Sequence, residues 1–309
     1  MSSSLSVVVS TLNGREQLLS CLDALHRELP TSSELIVVNG PSSDGTSGAV
    51  RDRDDVDVLV EISERTPNVS RNAGIEQATG DAVAFLGDAY AVESGWYDAI
   101  CGTIDHGADV VTGPIRGQRV AGESRRDPSQ PSEQRTIRRR TVTPFAPENV
   151  VIDRTVLEAL DGFDEYPQTA DGVECAHRVA GLGFDVTWSD EMAVRNEVGT
   201  DGGRPDAAWG DRYRSRSYRL VKNYGLWPSV VGRLVCRALA DGASGARGIL
   251  SGEGTPTGWL GDGVSVLKGS ARGLLDGLRS RYADRSTRRN PHGLSSRHDR
   301  AVQVYDRRS

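Results

Sequence analysis

An aspartate that directly follows a buried strand is placed to do chemistry, and this chain has one at Asp88. Ala82-Val83-Ala84-Phe85-Leu86 is a short, nearly continuous apolar run that stops at Gly87-Asp88, the pattern of a strand buried on both faces. In an open α/β sheet, ligands bind beyond the carboxyl ends of the strands, so a carboxylate there can meet a polar ligand or the metal ion that accompanies it. The alternative reading is that Asp88 caps the turn that follows. Other chemistries lack their residues. Cys21, Cys101, Cys175 and Cys236 are widely spaced with no C-x-x-C, which argues against a zinc site or a disulfide framework and suits a reducing compartment. No G-x-G-x-x-G follows the first apolar run, so the ordinary dinucleotide-binding reading has little support.

The elements that must hold Asp88 in place alternate along the first half of the chain. Residues 5–11 form a β-branched run, and residues 16–29 carry Leu18, Leu19, Leu22, Leu25 and Leu29 at helical spacing. A second strand at 35–38 stops at Asn39-Gly40-Pro41, a third is expected at 56–60, a helix at 67–78, the Asp88 strand next, and then a helix at 96–106 before a run at 109–112. Strands alternating with short helices predict right-handed crossovers and a mostly parallel sheet, an α/β fold. Residues 116–143 are polar, rich in Ser, Pro and Arg, and end in Arg138-Arg139-Arg140; they read as a loop over the site or as a solvated loop without function. Helices are expected at 153–160 and 174–182, a strand at 184–188, and a further run around 192–194.

Charge divides the 309-residue chain unevenly. Residues 1–204 hold 18 Lys and Arg against 34 Asp and Glu, a net of −16, whereas residues 205–309 hold 19 against 9, a net of +10. The first part suits a salt-rich cytoplasm, where surface carboxylates keep a protein hydrated. The basic third suits anionic lipid headgroups, nucleic acid, or the acidic body itself. We expect three parts: a body over 1–202, a basic region of amphipathic helices over 203–282, and a charged, aromatic-poor, disordered tail over 283–309. Arg212, Arg216, Arg219 and Lys222 recur at helical spacing beside Tyr213, Leu220, Tyr224 and Trp227. They form a face for an anionic membrane surface or, alternatively, for packing on the acidic body. Nucleic-acid binding is disfavoured by the body's charge and by the lack of a recognition motif. Hydrophobic residues make up 37% of the chain and the mean hydropathy is −0.43, values of a soluble globular protein. The start, Met1-Ser2-Ser3-Ser4, has no charged leader region and no long apolar run occurs, so neither export nor a spanning helix is expected.

Four motifs in order carry a family resemblance: S-V-V-V-S-T-L-N-G-R from Ser6, E-L-I-V-V-N-G-P-S-S-D-G-T from Glu34, S-R-N-A-G-I-E-Q-A-T-G-D-A-V-A-F-L-G-D-A from Ser70, and G-F-D-E from Gly162. Over residues 5 to about 199 the chain resembles the inverting family 2 glycosyltransferases of the GT-A fold. It is similar to those of archaeal N-glycosylation and surface-glycan assembly. The resemblance implies a GT-A-type central sheet flanked by helices, with the amphipathic helices as a C-terminal extension. It also implies a nucleoside-diphosphate sugar donor: Thr11, Asn13, Asn39 and Asp44 lie where the family holds base and ribose, Arg71 and Asn72 open a helix where a guanidinium can grip a phosphate, and Asp88 meets the diphosphate and its metal. Asp44 could instead cap the turn at 45–50.

The chain departs from the family at several points. Asn39 stands where the family usually has Asp, Gly87-Asp88-Ala89 replaces a D-x-D-type cluster, and Asn196 aligns with a usual His. One carboxylate, Asp88, remains for a weakly held Mg²⁺ or Mn²⁺ supplied largely through the donor's phosphates. Inverting transfer needs a carboxylate to take the acceptor hydroxyl's proton; alignment on Arg178 sets Glu174 on the family's helix acid and Asp171 and Gly172 on its E-D pair, and a one-residue slip makes Asp171 the base, with Glu174 in support. The implied function is sugar transfer to a polyprenyl- or dolichyl-phosphate-linked glycan, by a protein peripheral on the cytoplasmic face of the membrane. Two rivals stay open: a synthase that charges a lipid phosphate directly with one hexose, and a catalytically silent domain that binds a nucleotide sugar or a partner glycosyltransferase.

Overall fold

Apolar runs rich in Val, Ile and Leu with no polar alternation need cover on both faces, and a computed structural model supplies it. It describes residues 3–117, 135–137, 140–167, 172–197, 208–251, 255–283 and 290–308. In chain order, β1 (Leu5–Thr11), α1 (Arg15–Glu28), β2 (Glu34–Asn39), α2 (Thr46–Arg51), β3 (Val58–Ile62), α3 (Pro67–Gln77) and β4 (Ala82–Gly87) form the alternating half. Then follow β5 (Tyr90–Val92), α4 (Trp96–Asp105), β6 (Val110–Thr112), β7 (Ile115–Arg116), the hairpin β8 (Arg135–Ile137) and β9 (Arg140–Val142), β10 (Asn149–Asp153), α5 (Arg154–Leu160) and α6 (Val173–Leu182). The chain continues through β11 (Val186–Trp188), β12 (Val194–Asn196), three long helices, α7 (Trp209–Tyr224), α8 (Pro228–Leu250) and α9 (Pro256–Ala283), and a last strand, β13 (Ala301–Asp306).

The main sheet has eight strands in the order β11-β6-β10-β4-β1-β2-β3-β13, and only β10 and β13 run against the others. The alternating side chains of β1 feed two cores: Leu5, Val7 and Val9 face α1 and α4, and Val8 faces α3 and α5. Helix α3 lies so close to β1 that a Cβ on Gly74 would sit 2.3 Å from Val8 Cγ1, which explains the glycine at that position. A second sheet, β5-β12-β7, stands beside the first and brings Asn196 opposite Tyr90.

The tail departs from expectation. Residues 290–308, expected within a disordered tail, close the edge of the sheet, with β13 antiparallel to β3. One of its charges is buried. Arg300 is buried and binds Glu165, Glu76 and the carbonyls of Arg297 and Gly293, while Asp161 accepts from the backbone N–H of Asn290 and Ser295. The acids that meet Arg300 are 135 and 224 residues away in sequence, so composition alone reads the segment as solvated. Its order follows from pairing an otherwise open strand edge.

The basic helix α7 is likewise packed, chiefly on α9 and not on the acidic body that the second reading of its sequence named. Gly269, Gly273 and Gly277 of α9 face it, and a Cβ on each would lie 2.0, 2.2 and 2.7 Å from the carbonyl oxygens of Gly210, Arg214 and Tyr218. Two backbones meet there without side chains between them. Arg214 pairs with Asp276 at 3.3 Å and Arg216 approaches Asp241 at 3.9 Å, so these cations neutralise neighbouring helices instead of forming an open basic face.

Candidate active site

The site is assembled where the sheet's connections part. From β1 the chain proceeds to β2 and β3 on one side, while β4 pairs on the other side of β1; such a switch point opens a crevice at the carboxyl ends of the strands. Across it, Thr11 Oγ1 donates to Asp88 Oδ2 at 2.6 Å. Gly14, at the turn into α1, leaves room for this pair: a Cβ there would be 2.3 Å from Asp88 Oδ2 and 3.0 Å from Thr11 Oγ1.

The turns after β1 and β2 are tied to each other. Asn13, at φ 53°, donates its backbone N–H to Ser42 Oγ at 2.8 Å and accepts from Ser43 N–H at 2.8 Å. Ser42 Oγ in turn donates to Asn39 Oδ1 at 2.7 Å, and Asn39 Nδ2 donates to Ser47 Oγ at 2.9 Å. Asn39 is buried, and its amide uses both a donor and an acceptor, which a carboxylate could not do. Asp44 accepts from the backbone N–H groups of Arg15 and Thr46 at 3.0 and 3.1 Å and from the Thr46 hydroxyl at 2.5 Å. That hydroxyl bond, with the backbone bonds, holds its pKa below the ordinary carboxylate value against a small burial effect. Thr11, Asn13, Asn39, Asp44 and Asp88 therefore share one rim.

Arg71 and Asn72 do not stand on that rim. Asn72 is fully buried, with Nδ2 donating to Phe163 O at 2.9 Å and Glu165 Oε1 at 2.7 Å while Oδ1 accepts from Phe163 N–H at 2.8 Å. The expected phosphate contact is corrected: its amide holds the Gly162–Phe163–Asp164–Glu165 turn against α3. Arg71 is buried beneath the crevice, with Nη1 donating to Asn68 Oδ1 at 2.7 Å, Nη2 3.7 Å from Glu148, and its guanidinium over the Phe163 ring. The Glu148 carbonyl accepts from Gly87 N–H at 3.2 Å, so the Arg71 charge lies next to the end of β4.

On the acceptor side, Asp171 lies outside the described residues. Glu174, three residues on, is buried in an ion network. Arg178 Nε donates to both of its oxygens at 3.1 and 2.9 Å, and Lys222 Nζ lies 3.3 Å away. Lys222 also donates to Asp164 at 2.6 Å and Asn290 Oδ1 at 3.1 Å, and Tyr218 donates to Asp164 at 2.8 Å. Burial alone would raise the Glu174 pKa, but Arg178 and Lys222 outweigh it and hold the value at about 2. A carboxylate so stabilised is a poor proton acceptor, so the catalytic role expected for Glu174 becomes one of positioning helix α6. Sequence reading missed Lys222 as its partner; the one available signal was that Lys222 is one of only two lysines in the chain.

Residues 6–160 match the profile of Glycosyl transferase family 2. The chain belongs to that family. It is 25% identical over 198 residues to Glycosyltransferase AglE of Haloferax volcanii, a match that takes in 60% of this chain and 64% of the relative's length. Among solved structures the fold is similar to mannosyltransferase PcManGT from Pyrobaculum calidifontis in complex with GDP-Man and Mn²⁺, at 19% identity and a TM-score of 0.59, covering 93% of this chain and 89% of that one. It is also similar to S. aureus TarS 1–349 in complex with UDP-GlcNAc, at 17% identity and a TM-score of 0.58, covering 91% of each chain. These likenesses show the GT-A-type fold, and the curated relative is matched over less than two thirds of its own length.

The candidate site is sparing in metal ligands. Among the described residues no group of three or more His, Cys, Asp and Glu is gathered to hold an ion. Asp88 fits one place in the shell of a hard divalent cation, which prefers oxygen. Register sets Asn196 opposite Tyr90, and Glu197 N–H donates to Ala89 O at 3.1 Å, so the position where the family usually has His does lie beside Asp88. The Glu197 carboxylate, which the sequence reading missed, accepts from Ser20 Oγ. Burial, then Asp88 and then Glu197, push up the pKa of the Cys21 thiol.

Proposed function

We propose that the protein is an inverting transferase that moves a hexose from a nucleoside-diphosphate sugar to a polyprenyl- or dolichyl-phosphate-linked glycan at the cytoplasmic membrane surface. The observation that carries this reading is the Thr11–Asp88 pair at the switch point, with the β1 and β2 turns fastened around it. Thr11, Asn13, Asn39 and Asp44 line the place for base and ribose, and Arg71 lends positive charge from below. In this reading Asp171 takes the proton of the acceptor hydroxyl as that oxygen attacks the anomeric carbon. The bond to the diphosphate breaks on the opposite side and its electron pair leaves with the phosphate oxygen. A bound Mg²⁺ or Mn²⁺, with Asp88 as its protein ligand, would supply charge neutralisation to the departing diphosphate.

The solved neighbours with bound nucleotide sugars support the donor class, and the similarity to AglE supports the archaeal glycosylation setting. The neutral residues Asn39, Ala89, Gly172 and Asn196 favour a second reading, a silent domain that binds the donor without turnover. Incubation with UDP- and GDP-sugars, Mn²⁺ or Mg²⁺ and lipid-linked acceptors separates the readings. Transfer with inversion is expected, a single hexose on bare lipid phosphate would make the protein a synthase, and donor binding without product would leave the silent domain. Deleting the gene and weighing lipid-linked and protein-linked glycans would identify the step.

A further inference from the structure

The glycine face of α9 is turned inward against α7, and the opposite face carries a long apolar stripe. At about 3.6 residues per turn, Leu260, Val264, Leu267, Ala271, Leu275 and Tyr282 fall on the side away from Gly269, Gly273 and Gly277. They are uncovered: Leu267 is 72% exposed, Leu275 68% and Tyr282 70%. Helix α8 repeats the arrangement. Val230 and Leu234 are buried against α7 and the β8–β9 hairpin, while Val231, Val235 and Leu239, at intervals of four, are exposed. Trp227 and Trp259, which suit the boundary between water and lipid, are 52% and 40% exposed near the starts of the two helices. An uncovered face of this extent on a chain of moderate hydropathy marks an interaction surface.

Charge selects the occupant. Lys268, Arg272 and Arg279 are exposed along one flank of the α9 stripe, on the turns between its apolar residues. A helix with an apolar face and cations along its edge lies in the headgroup region of an anionic bilayer. The acidic body, with a net of −16 over residues 1–204, would be repelled by such a surface and so would be held facing away from it. No described helix is long and apolar enough to cross a membrane, which leaves attachment in the interfacial plane. We propose that the outer face of α8 and α9, and not the packed basic helix α7, docks the protein on an anionic lipid bilayer. This rests on the reading of a membrane-linked acceptor and assigns the surface that reaches it.

The test is flotation of the full-length protein with vesicles, in the absence of donor and acceptor so that binding is scored apart from transfer. One set contains about a third phosphatidylglycerol in phosphatidylcholine and the other phosphatidylcholine alone. Binding to the anionic set, weakening as salt rises, is expected. The triple variant Lys268→Glu, Arg272→Glu, Arg279→Glu should lower partition at least about tenfold, and Leu267→Ser with Leu275→Ser should lower it comparably. Arg212→Glu on α7 should leave it within about twofold. Circular dichroism melting must match wild type for each variant to count, and the charge triple, wholly on the surface, guards against misfolding of the apolar pair. Equal partition to both vesicle sets, no partition to either, or a concentration-dependent dimer abolished by the Leu267 and Leu275 changes would overturn the proposal, the last by assigning the face to a second copy of the chain. A protein that floats but transfers no sugar would sink the proposed reaction and leave the docking face standing.

Discussion

At the scale of single residues, two carboxylates that sequence reading placed at the site, Asp88 for the donor's metal and Glu174 in support of the base, have opposite surroundings. Asp88 is partly exposed at the crevice and accepts from the Thr11 hydroxyl, and the proposed function gives it the donor's metal. Asp88→Ala should lower transfer by about a hundredfold or more, roughly 3 kcal/mol of barrier, with the melting temperature within a few degrees of wild type; activity within about threefold would remove it from the donor site. Glu174 already has its cations, and its contribution is to stability. Its carboxyl is depressed from the ordinary 4.5 to about 2, so the stabilisation is fully present above about pH 4.5 and is lost as pH falls toward 2. Lys222→Met leaves Asp164 and Glu174 buried with one cation fewer and should cost about 3–5 kcal/mol. It should also flatten the acid limb of the stability profile below about pH 4.5, because Glu174 then titrates nearer its ordinary value. A variant as stable as wild type with an unchanged acid limb would mean that the network contributes nothing.

Among the elements, α9 shows how one residue type serves two ends. Gly273 sits where a Cβ would be 2.2 Å from the Arg214 carbonyl, whereas nothing lies within 4 Å of a Cβ on Gly261 in the same helix. Gly273→Leu should therefore force α7 and α9 apart and cost at least about 2 kcal/mol, while Gly261→Ala should gain up to about 1 kcal/mol from helix propensity. Denaturant midpoints of the two variants moving in the same direction would contradict the backbone contact. The crossing matters to the site because α7 carries Lys222 into the Glu174 pocket, and α6, which Glu174 anchors, begins just after Asp171.

For the whole molecule, the three parts expected from charge are not independent. Lys222 of the helical region lies between Asp164 and Glu174 of the body, Asn290 of the tail completes its shell, and β13 covers β3. A chain cut after residue 202 should consequently be poorly soluble or unfolded near neutral pH, having lost a buried cation and exposed a strand edge. Recovery of a monomeric fragment with a cooperative melt and nucleotide binding would show instead that the body folds alone.

Local pattern determined much of this protein. Unbroken Val, Ile and Leu runs alternating with leucine-spaced helices specified the parallel sheet, and the small polar residues that stop those runs marked the rim of the crevice, because both depend on neighbours in sequence. The turns that carry Asn13 and Asp44 follow the ends of β1 and β2 as those patterns place them. Tertiary structure decided which polar residues are consumed. Asn72 and Asp88 each follow a helix start or a strand end in matched motifs, yet one is sealed against Phe163 and the other is accessible. The same holds for charge. Lys222, read in sequence as part of a membrane or packing face, and Arg300, read as part of a disordered tail, are paired in the fold with acids up to 224 residues away, since burial depends on which elements pack together and composition records only that the charges exist.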